Sequence, residues 1–273
     1  MHIAAIEGFD VTCVDHVLKV VINRPERRNA LTPDQMYQLG RLCAEAEHDD
    51  QVRVVVLQGT GDAFCAGADM GEADLSAAGG QIPPVGVTRN LFVPILELSK
   101  PLIGVINGVA AGGGLGLALC CDIRLASDRA RFTTAFSRIG LTANDAVAWL
   151  LPRTVGTAKA LELIYRARPI DAAEAERIGL VSYVRPHDEL DAFATDFVGE
   201  ILAGPPAGLR FSKRLVIDGL DRTYREHVLA QEYASLANRT IANHDIVEGV
   251  AAFKEKRQPE FQGVLAQPRW TNY

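Results

Sequence analysis

Four glycines stand close together in the middle of the chain, at positions 112–114 and 116. They lie between the apolar runs PLIGVING and LALCC, which predict a strand before the glycines and a helix after them. A turn of this kind exposes main-chain amides at the positive end of a helix dipole. Such amides bind phosphate groups or stabilise negative charge that develops on a carbonyl oxygen.

The residue types disfavour a phosphate. In the dinucleotide-binding pattern G-x-G-x-x-G the last glycine would fall on Leu117, and no acidic residue stands where the ribose contact requires one. A P-loop needs a lysine, which this stretch lacks. A dehydrogenase of the Rossmann type is therefore disfavoured. An oxyanion site remains, as does a purely structural interpretation in which glycine lets a helix pack closely on a strand.

A second turn favours the oxyanion site. The stretch GDAFCAGADM, residues 61–70, also follows a predicted strand and also presents small residues. Two such turns can direct two amides at one carbonyl oxygen.

Strands and helices alternate in the first half, which is typical of an α/β domain, and helical patterns dominate from about residue 145. We expect an α/β core over 1–200 and a helical region over 201–273. Thr32 followed by Pro33 predicts the start of one helix, and Asp171 predicts the start of another that ends at Gly179. The expected strands lie within 16–25, 53–59, 101–108 and 120–127, and the Gly- and Pro-rich stretch 76–86 is expected to be a flexible loop or lid.

Composition narrows the class of protein. The net charge of −6 disfavours a nucleic-acid partner. The five cysteines have no metal-type spacing and indicate a reducing compartment. Neither a membrane span nor a signal peptide is recognisable, so we expect a cytoplasmic protein without a metal site.

Several motifs, in order along the chain, resemble the crotonase superfamily, the enoyl-CoA hydratase/isomerase family. They are NRPERRNALT at 23–32, AFCAGADM at 63–70, NGVAAGGGLGLALCCDIRLAS at 107–127, GLTANDAVAWLLPRTVG at 140–156 and FKEKRQPEF at 253–261. The resemblance implies a spiral of ββα units with a helical C-terminal trimerisation region, assembled as a homotrimer or a dimer of trimers. It also implies an acyl-CoA thioester substrate, with coenzyme A as part of the substrate and no other cofactor.

The same resemblance assigns residues. The oxyanion amides would be those of Ala68 and Gly113. Phe253 and Lys256 match C-terminal residues that often reach coenzyme A from a neighbouring subunit, although Lys256 can equally be an ordinary solvated lysine. The remaining positions expected along coenzyme A are Arg28, Ala30, Ala66, Asp69 and Met70.

The chain departs from the family at its two usual glutamates. Hydratases of the family use two carboxylates, whose positions here hold Gly116 and Phe136. Neither residue can move a proton, so the usual hydration mechanism is disfavoured. These two positions and Trp149 suggest a wider or more apolar acyl pocket, suited to a bulky or aromatic acyl group.

Asp145 is the expected replacement base. Some isomerases and dehalogenases of the family carry an aspartate at the start of the next helix, in the column of Asn144, and a shift by one residue would bring Asp145 into the site. Alternatively, Asn144 caps that helix and Asp145 lies in its first turn for structural reasons. Other polar residues are expected to be structural or solvated: Cys65, Glu72, Asp74 and Asp122.

The expected activity is double-bond isomerisation or another α-proton transfer on an acyl-CoA. The alternatives are hydration by an atypical mechanism, thioester hydrolysis, decarboxylation and acyl-CoA binding without catalysis.

Overall fold

The computed structural model describes residues 6–69, 71 and 89–263, with main chain alone at 89 and 90. The predicted loop at 76–86, together with Met70, Glu72 and Asp74, lies outside the described residues. The chain divides into two compact units. The first takes the chain up to Leu98 together with Leu102–Thr195, and the second takes Ser99–Pro101 together with the chain from Asp196 onward.

The described strands belong to the first unit and form two sheets, in the orders β1-β2-β3-β5-β7-β10 and β4-β6-β8-β9. The pairs β1–β2 and β8–β9 are antiparallel, and the other neighbours are parallel. Their bounds are β1 Phe9–Val14, β2 Val17–Ile22, β3 Val54–Gly59, β4 Ala63–Cys65, β5 Leu102–Ile106, β6 Val109–Ala111, β7 Ile123–Ser127, β8 Arg131–Thr133, β9 Ile170–Asp171 and β10 Tyr183–Arg185.

Six helices lie in the first unit, counting the described residues: α1 Pro33–His48, α2 Arg89–Leu96, α3 Gly113–Cys120, α4 Val147–Val155, α5 Thr157–Arg166 and α6 Ala172–Arg177. Helix α7, Leu190–Leu202, begins in the first unit and ends in the second. The second unit continues with α8 Pro206–Gly219, α9 Tyr224–Ile241 and α10 Asn243–Glu255. Short 3-10 turns occur at Pro25–Arg27 and Phe136–Ile139.

A repeated ββα unit organises the core. Strands β5 and β6 precede α3, and β7 and β8 precede α4; in each pair the first strand joins the large sheet and the second joins the small one. Strands β3 and β5 are buried along their whole length, as expected for parallel strands covered on both faces. The α/β class and the ββα repeat predicted from the sequence are therefore confirmed.

Local capping signals also agree with the structure. The Thr32 hydroxyl accepts the Gln35 N–H at 3.2 Å, and the Gln35 side chain accepts the Thr32 N–H at 3.1 Å. Asp171 caps α6 by accepting the Glu174 N–H at 2.9 Å, and Gly179 follows that helix with φ at +75°. Helix ends are local features, which is why short sequence patterns predict them.

The second unit has a different surface. Large apolar side chains of α9 face outward, with Leu229 58%, Tyr233 73% and Leu236 63% exposed. Phe253 on α10 is 85% exposed. No helix in the described parts of the chain is both long and apolar enough to cross a membrane.

Candidate active site

The turn that follows β4 supplies the first candidate amide. The Leu31 N–H donates to the Gly67 carbonyl at 2.9 Å, and the Asp69 N–H donates to the Leu31 carbonyl at 3.0 Å. The Gly67 carbonyl and the Asp69 N–H therefore both face Leu31. Because the Ala68 N–H points away from the Gly67 carbonyl in the same peptide unit, it lies on the opposite side of this short parallel bridge. Within the described residues that N–H has no hydrogen-bond acceptor, and Ala68 is exposed.

The amino end of α3 supplies the second candidate amide. Gly112 precedes the helix with φ at +54°, a conformation that favours glycine, and its N–H donates to the Thr133 carbonyl at 3.1 Å. Gly113 is the first helical residue, so its N–H has no partner inside the helix. None is found among the other described residues either.

The two turns lie against each other. Gly67 has φ at +100°, and a β-carbon placed on it would lie 3.2 Å from the Gly113 nitrogen and 2.8 Å from the Ala111 oxygen. Only a residue without a side chain permits this approach. The sequence analysis did not single out Gly67, although the small residues around it in CAGAD were the signal that could have identified it.

Asp145 also lies beside Gly113. Its carboxylate Oδ2 lies 2.9 Å from the point where a β-carbon of Gly113 would be. The side chain is partly buried, and burial raises the pKa of the carboxyl above its ordinary value. A raised pKa makes the ionised form a better proton acceptor. The structure therefore brings together Ala68, Gly113 and Asp145, the three residues expected to carry the chemistry.

The turn that carries Asp145 differs from both structural alternatives. Asp145 and Ala146 have φ values of 49° and 64°, and the Val147 N–H donates to the Asn144 carbonyl at 2.9 Å, as in a type I′ turn. Helix α4 begins after this turn, with Ala146 at its N-cap and without a side-chain cap. The interpretation of Asn144 as the cap and of Asp145 as a first-turn acid is therefore wrong.

The two usual glutamate positions are filled in different ways. Phe136 is 5% exposed and belongs to the hydrophobic core. Beside Gly116, the Asp145 carbonyl oxygen occupies the space that a side chain would take. The expectation that Gly116 widens the acyl pocket is therefore wrong, because main chain fills the space. Trp149 is 38% exposed, and the Arg153 guanidinium lies 4.1 Å from its ring centre.

The positions expected along coenzyme A lie on both units, and two of those in the first unit are neighbours, since the Ala66 N–H donates to the Arg28 carbonyl at 3.0 Å. Arg28 is exposed, Ala66 is half-buried and Ala30 is 8% exposed. Phe253 and Lys256 are exposed on the second unit, at the end of α10. Met70 lies outside the described residues.

Asp69 has partners within the fold. Its carboxylate accepts the Gly71 N–H at 3.1 Å and lies 3.0 Å from the Arg24 guanidinium. Burial alone would raise the pKa of this carboxyl, but the Gly71 N–H and Arg24 outweigh it and hold that pKa below its ordinary value. Asp69 therefore braces the turn that carries Ala68, and its expected place along coenzyme A stays a prediction.

Other candidate groups are structural. Burial raises the pKa of the Cys65 thiol to about 12, so Cys65 stays protonated and is a poor nucleophile. Asp122 accepts the Leu102 N–H at 2.7 Å at the end of a strand. Within the described part of the chain, no three His, Cys, Asp or Glu residues are grouped closely enough to hold a metal ion.

Known proteins resemble this chain in sequence and in fold. The family model described as enoyl-CoA hydratase/isomerase matches residues 13–264. The 1,2-epoxyphenylacetyl-CoA isomerase of Escherichia coli (strain K12) is 34% identical over 90% of this chain and 95% of its own. A probable enoyl-CoA hydratase of Mycobacterium tuberculosis is 36% identical over 90% of this chain and 89% of its own. The crystal structure of an enoyl-CoA hydratase from Bacillus anthracis superposes with a TM-score of 0.85 at 31% identity, covering 93% of this chain and 99% of that one.

Proposed function

The chain belongs to the enoyl-CoA hydratase/isomerase family and is an acyl-CoA-processing enzyme of that family, and we propose that it moves a carbon–carbon double bond by proton transfer through one carboxylate. The observation that carries this proposal is the position of Asp145, whose Oδ2 lies beside Gly113. Positions 116 and 136 hold no carboxylate, so the geometry supports one acid–base group rather than two.

The proposed reaction starts from a thioester with its double bond between the β- and γ-carbons. Asp145 takes a proton from the α-carbon, and the electron pair of the broken C–H bond moves towards the thioester carbonyl. The amides of Ala68 and Gly113 stabilise the resulting oxyanion, for which loss of one donor typically costs about 3 kcal/mol. Asp145 then returns the proton to the γ-carbon. The double bond moves to the α,β position, and no oxidant or reductant is consumed.

The names of the relatives are consistent with an isomerase. One relative is named 1,2-epoxyphenylacetyl-CoA isomerase, which supports isomerisation for this chain. Because proton transfer needs no electron carrier, we propose that coenzyme A enters as part of the substrate and that no other cofactor is needed. Its contacts are proposed to involve Arg28, Ala30, Ala66, Asp69, Met70, Phe253 and Lys256, and the Asp69 carboxylate also braces the turn.

The exposed apolar side chains of α9 support self-association as a homotrimer or a dimer of trimers. Leu229, Tyr233 and Leu236 are spaced four and three residues apart, so they share one helix face. A contiguous exposed apolar face is typical of an interaction surface. The five cysteines are free thiols, which supports the proposed cytoplasmic location.

The proposal is tested with a panel of acyl-CoA thioesters in D₂O, with deuterium at the α- and γ-carbons read by mass spectrometry. We expect deuterium incorporation and double-bond migration with the wild-type enzyme. Asp145→Asn should lower the rate by about 10²–10⁴, the usual contribution of a general base. Asp196→Asn, which removes an exposed carboxylate on α7, is the matched control and should leave the rate unchanged.

Other outcomes would contradict the proposal. Hydration, release of free coenzyme A or loss of CO₂ without deuterium exchange would indicate one of the other family chemistries. Tight thioester binding without any of these changes would indicate a binding protein. Undiminished exchange by Asp145→Asn would remove Asp145 from the mechanism.

A further inference from the structure

One face of α3 carries no side chains over its first turn. Gly113 and Gly116 are three residues apart, so they lie above one another on the same face of the helix. The residues between and after them are apolar and buried. This bare face, formed by Gly113 and Gly116, is called the glycine slot below.

The glycine slot receives Asp145 at two points. The side chain lies against Gly113, with Oδ2 at 2.9 Å from the β-carbon position. The main chain lies against Gly116, where a β-carbon would overlap the Asp145 carbonyl oxygen and lie 3.2 Å from its carbonyl carbon. Ordinary carbon–oxygen contacts are about 3.3–3.6 Å, so even a methyl group at 116 would push the Asp145 main chain away.

The residue that follows the turn resists such a displacement. Val147 is fully buried, and its Cγ2 lies 3.4 Å from the β-carbon position of Gly116. Its N–H closes the turn on Asn144. Asp145 and Ala146 both adopt positive φ, which is costly for Ala in particular and persists only where the surrounding structure enforces it. The turn is therefore fixed by the buried Val147 after it and by the glycine slot beside it.

We propose that Gly116 is a positioning residue, whose missing side chain admits the Asp145 carbonyl and thereby seats the Asp145 carboxylate beside the Gly113 amide. This inference rests on the proposed role of Asp145 as the base. It has a consequence for the chemistry open to this chain. A side chain at 116 and Asp145 in its present place exclude each other, so a glutamate at 116 would displace the existing base rather than add a second one.

The test uses Gly116→Ala in the full-length enzyme, with Gly104→Ala as the matched control. Gly104 is also buried and tightly packed, but a β-carbon there would meet the Cys121 sulfur, at 2.9 Å, and not Asp145. We expect Gly116→Ala to lower kcat for α-deuterium exchange by about 10²-fold, the usual cost of misplacing a reacting group by about 1 Å. KM and the affinity for acetyl-CoA, measured by calorimetry, should change by less than about threefold, since the amides remain. Gly104→Ala should lower the melting temperature and leave kcat within about threefold.

A second measurement does not depend on activity. The Asp145 carboxyl signal is followed by ¹³C NMR in protein labelled at the aspartate carboxyl carbons, and it is assigned as the signal missing from Asp145→Asn. Its chemical shift and its midpoint of titration should change in Gly116→Ala and stay as in the wild type in Gly104→Ala. An Asp145 signal that is identical in Gly116→Ala and the wild type would overturn the positioning inference, whatever the reaction. Undiminished exchange by Asp145→Asn would instead overturn the proposed function.

A further variant covers the case in which Gly116→Ala does not fold. Val147→Ala removes methyl groups next to the glycine slot and gives the turn room to move. The double variant Gly116→Ala/Val147→Ala should fold, bind acetyl-CoA and still exchange about 10²-fold more slowly than Val147→Ala alone. Equal exchange by these two variants would contradict the inference.

Discussion

Helix α3 buries seven of its eight residues, whereas α9, with 18 residues, has no buried residue. In the first unit, apolar side chains are inside and bare main chain forms the site. In the second, apolar side chains remain exposed. The difference shows that the position of α3 is determined by contacts within the chain. The apolar face of α9 stays exposed among the residues that the structure describes, and we propose that another copy of the chain covers it.

Within this comparison, the largest expected effect on activity is at Gly113, which contributes only main chain to the candidate site. A methyl group at this position would lie 2.9 Å from the Asp145 carboxylate and beside the Gly113 amide. Gly113→Ala keeps the amide but crowds the Asp145 carboxylate and the place of the oxyanion, so it should lower the rate of α-deuterium exchange by about 10²–10³, the range typical of a disabled oxyanion donor. Gly104→Ala, which adds a methyl group at another tightly packed glycine away from Asp145, is the control and should stay within about threefold. A Gly113→Ala enzyme with wild-type exchange would separate Gly113 from the reaction.

A charge at Leu236 tests whether the exposed apolar face of α9 is a contact between copies of the chain. Leu236→Glu places a charge in the proposed contact between copies, where burying it without a partner costs at least about 2 kcal/mol per contact. Sedimentation velocity should show dissociation to smaller species at concentrations where the wild type is assembled. Ser235→Glu adds the same charge at an exposed polar position of α9 and should leave the assembly intact. Wild-type assembly by Leu236→Glu would show that this face is not the contact.

Two similar helix caps test how the packing of a helix changes the effect of losing its cap. Thr32 with Gln35 begins α1, which packs into the core, and Thr223 with Glu226 begins α9, which buries nothing. Thr32→Ala should lower the free energy of unfolding by about 1 kcal/mol, the usual cost of losing a cap. Thr223→Ala should cost about half as much in global stability, because fraying of an exposed end is tolerated locally. Urea unfolding measures both, and a larger loss for Thr223→Ala would reverse the comparison.

The smallest expected effect concerns the stability of the site as pH changes. Burial raises the pKa of Asp145, so the folded protein holds this proton more tightly than the unfolded chain does. Stability is therefore lost as pH rises from the ordinary carboxyl pKa through the raised one. Asp145→Asn cannot ionise, and it should increase the free energy of unfolding at neutral pH.

The gain should shrink as pH falls towards the ordinary carboxyl pKa, where the wild-type group is neutral as well. Asp196→Asn, which removes an exposed carboxylate on α7, is the control variant in the same urea experiments. A gain for Asp145→Asn that is independent of pH would mean that the charge of Asp145 is not its source.

Much of the fold was predictable because the relevant signals are local. The Thr32 cap needs only residues within one helical turn, and the run Val54–Leu57 indicates a buried strand by composition alone. The glycines at 112–114 likewise indicated exposed amides at a helix start. The family motifs added Ala68 and the order of the ββα units.

The site was less predictable where it depends on contacts between distant segments. From the sequence, the expected column fell on Asn144, and only a shift by one residue in the loop, which leaves no pattern, would bring Asp145 there instead. Gly116 suggested empty space, and the structure fills it with the Asp145 carbonyl. A missing side chain in a sequence does not say what will occupy its volume, since close packing fills it from elsewhere.

The sequence by itself therefore determined the element types, the family and the amides proposed to face a reacting carbonyl, because each depends on residue types within a short stretch. Only the tertiary structure decided that Asp145 reaches α3. It also decided that Gly67 lets the turn after β4 approach Gly113, and that Gly116 lets the Asp145 main chain approach α3. Those contacts join segments that are far apart along the chain. Their distances are set by packing of the whole first unit, and no local pattern encodes them.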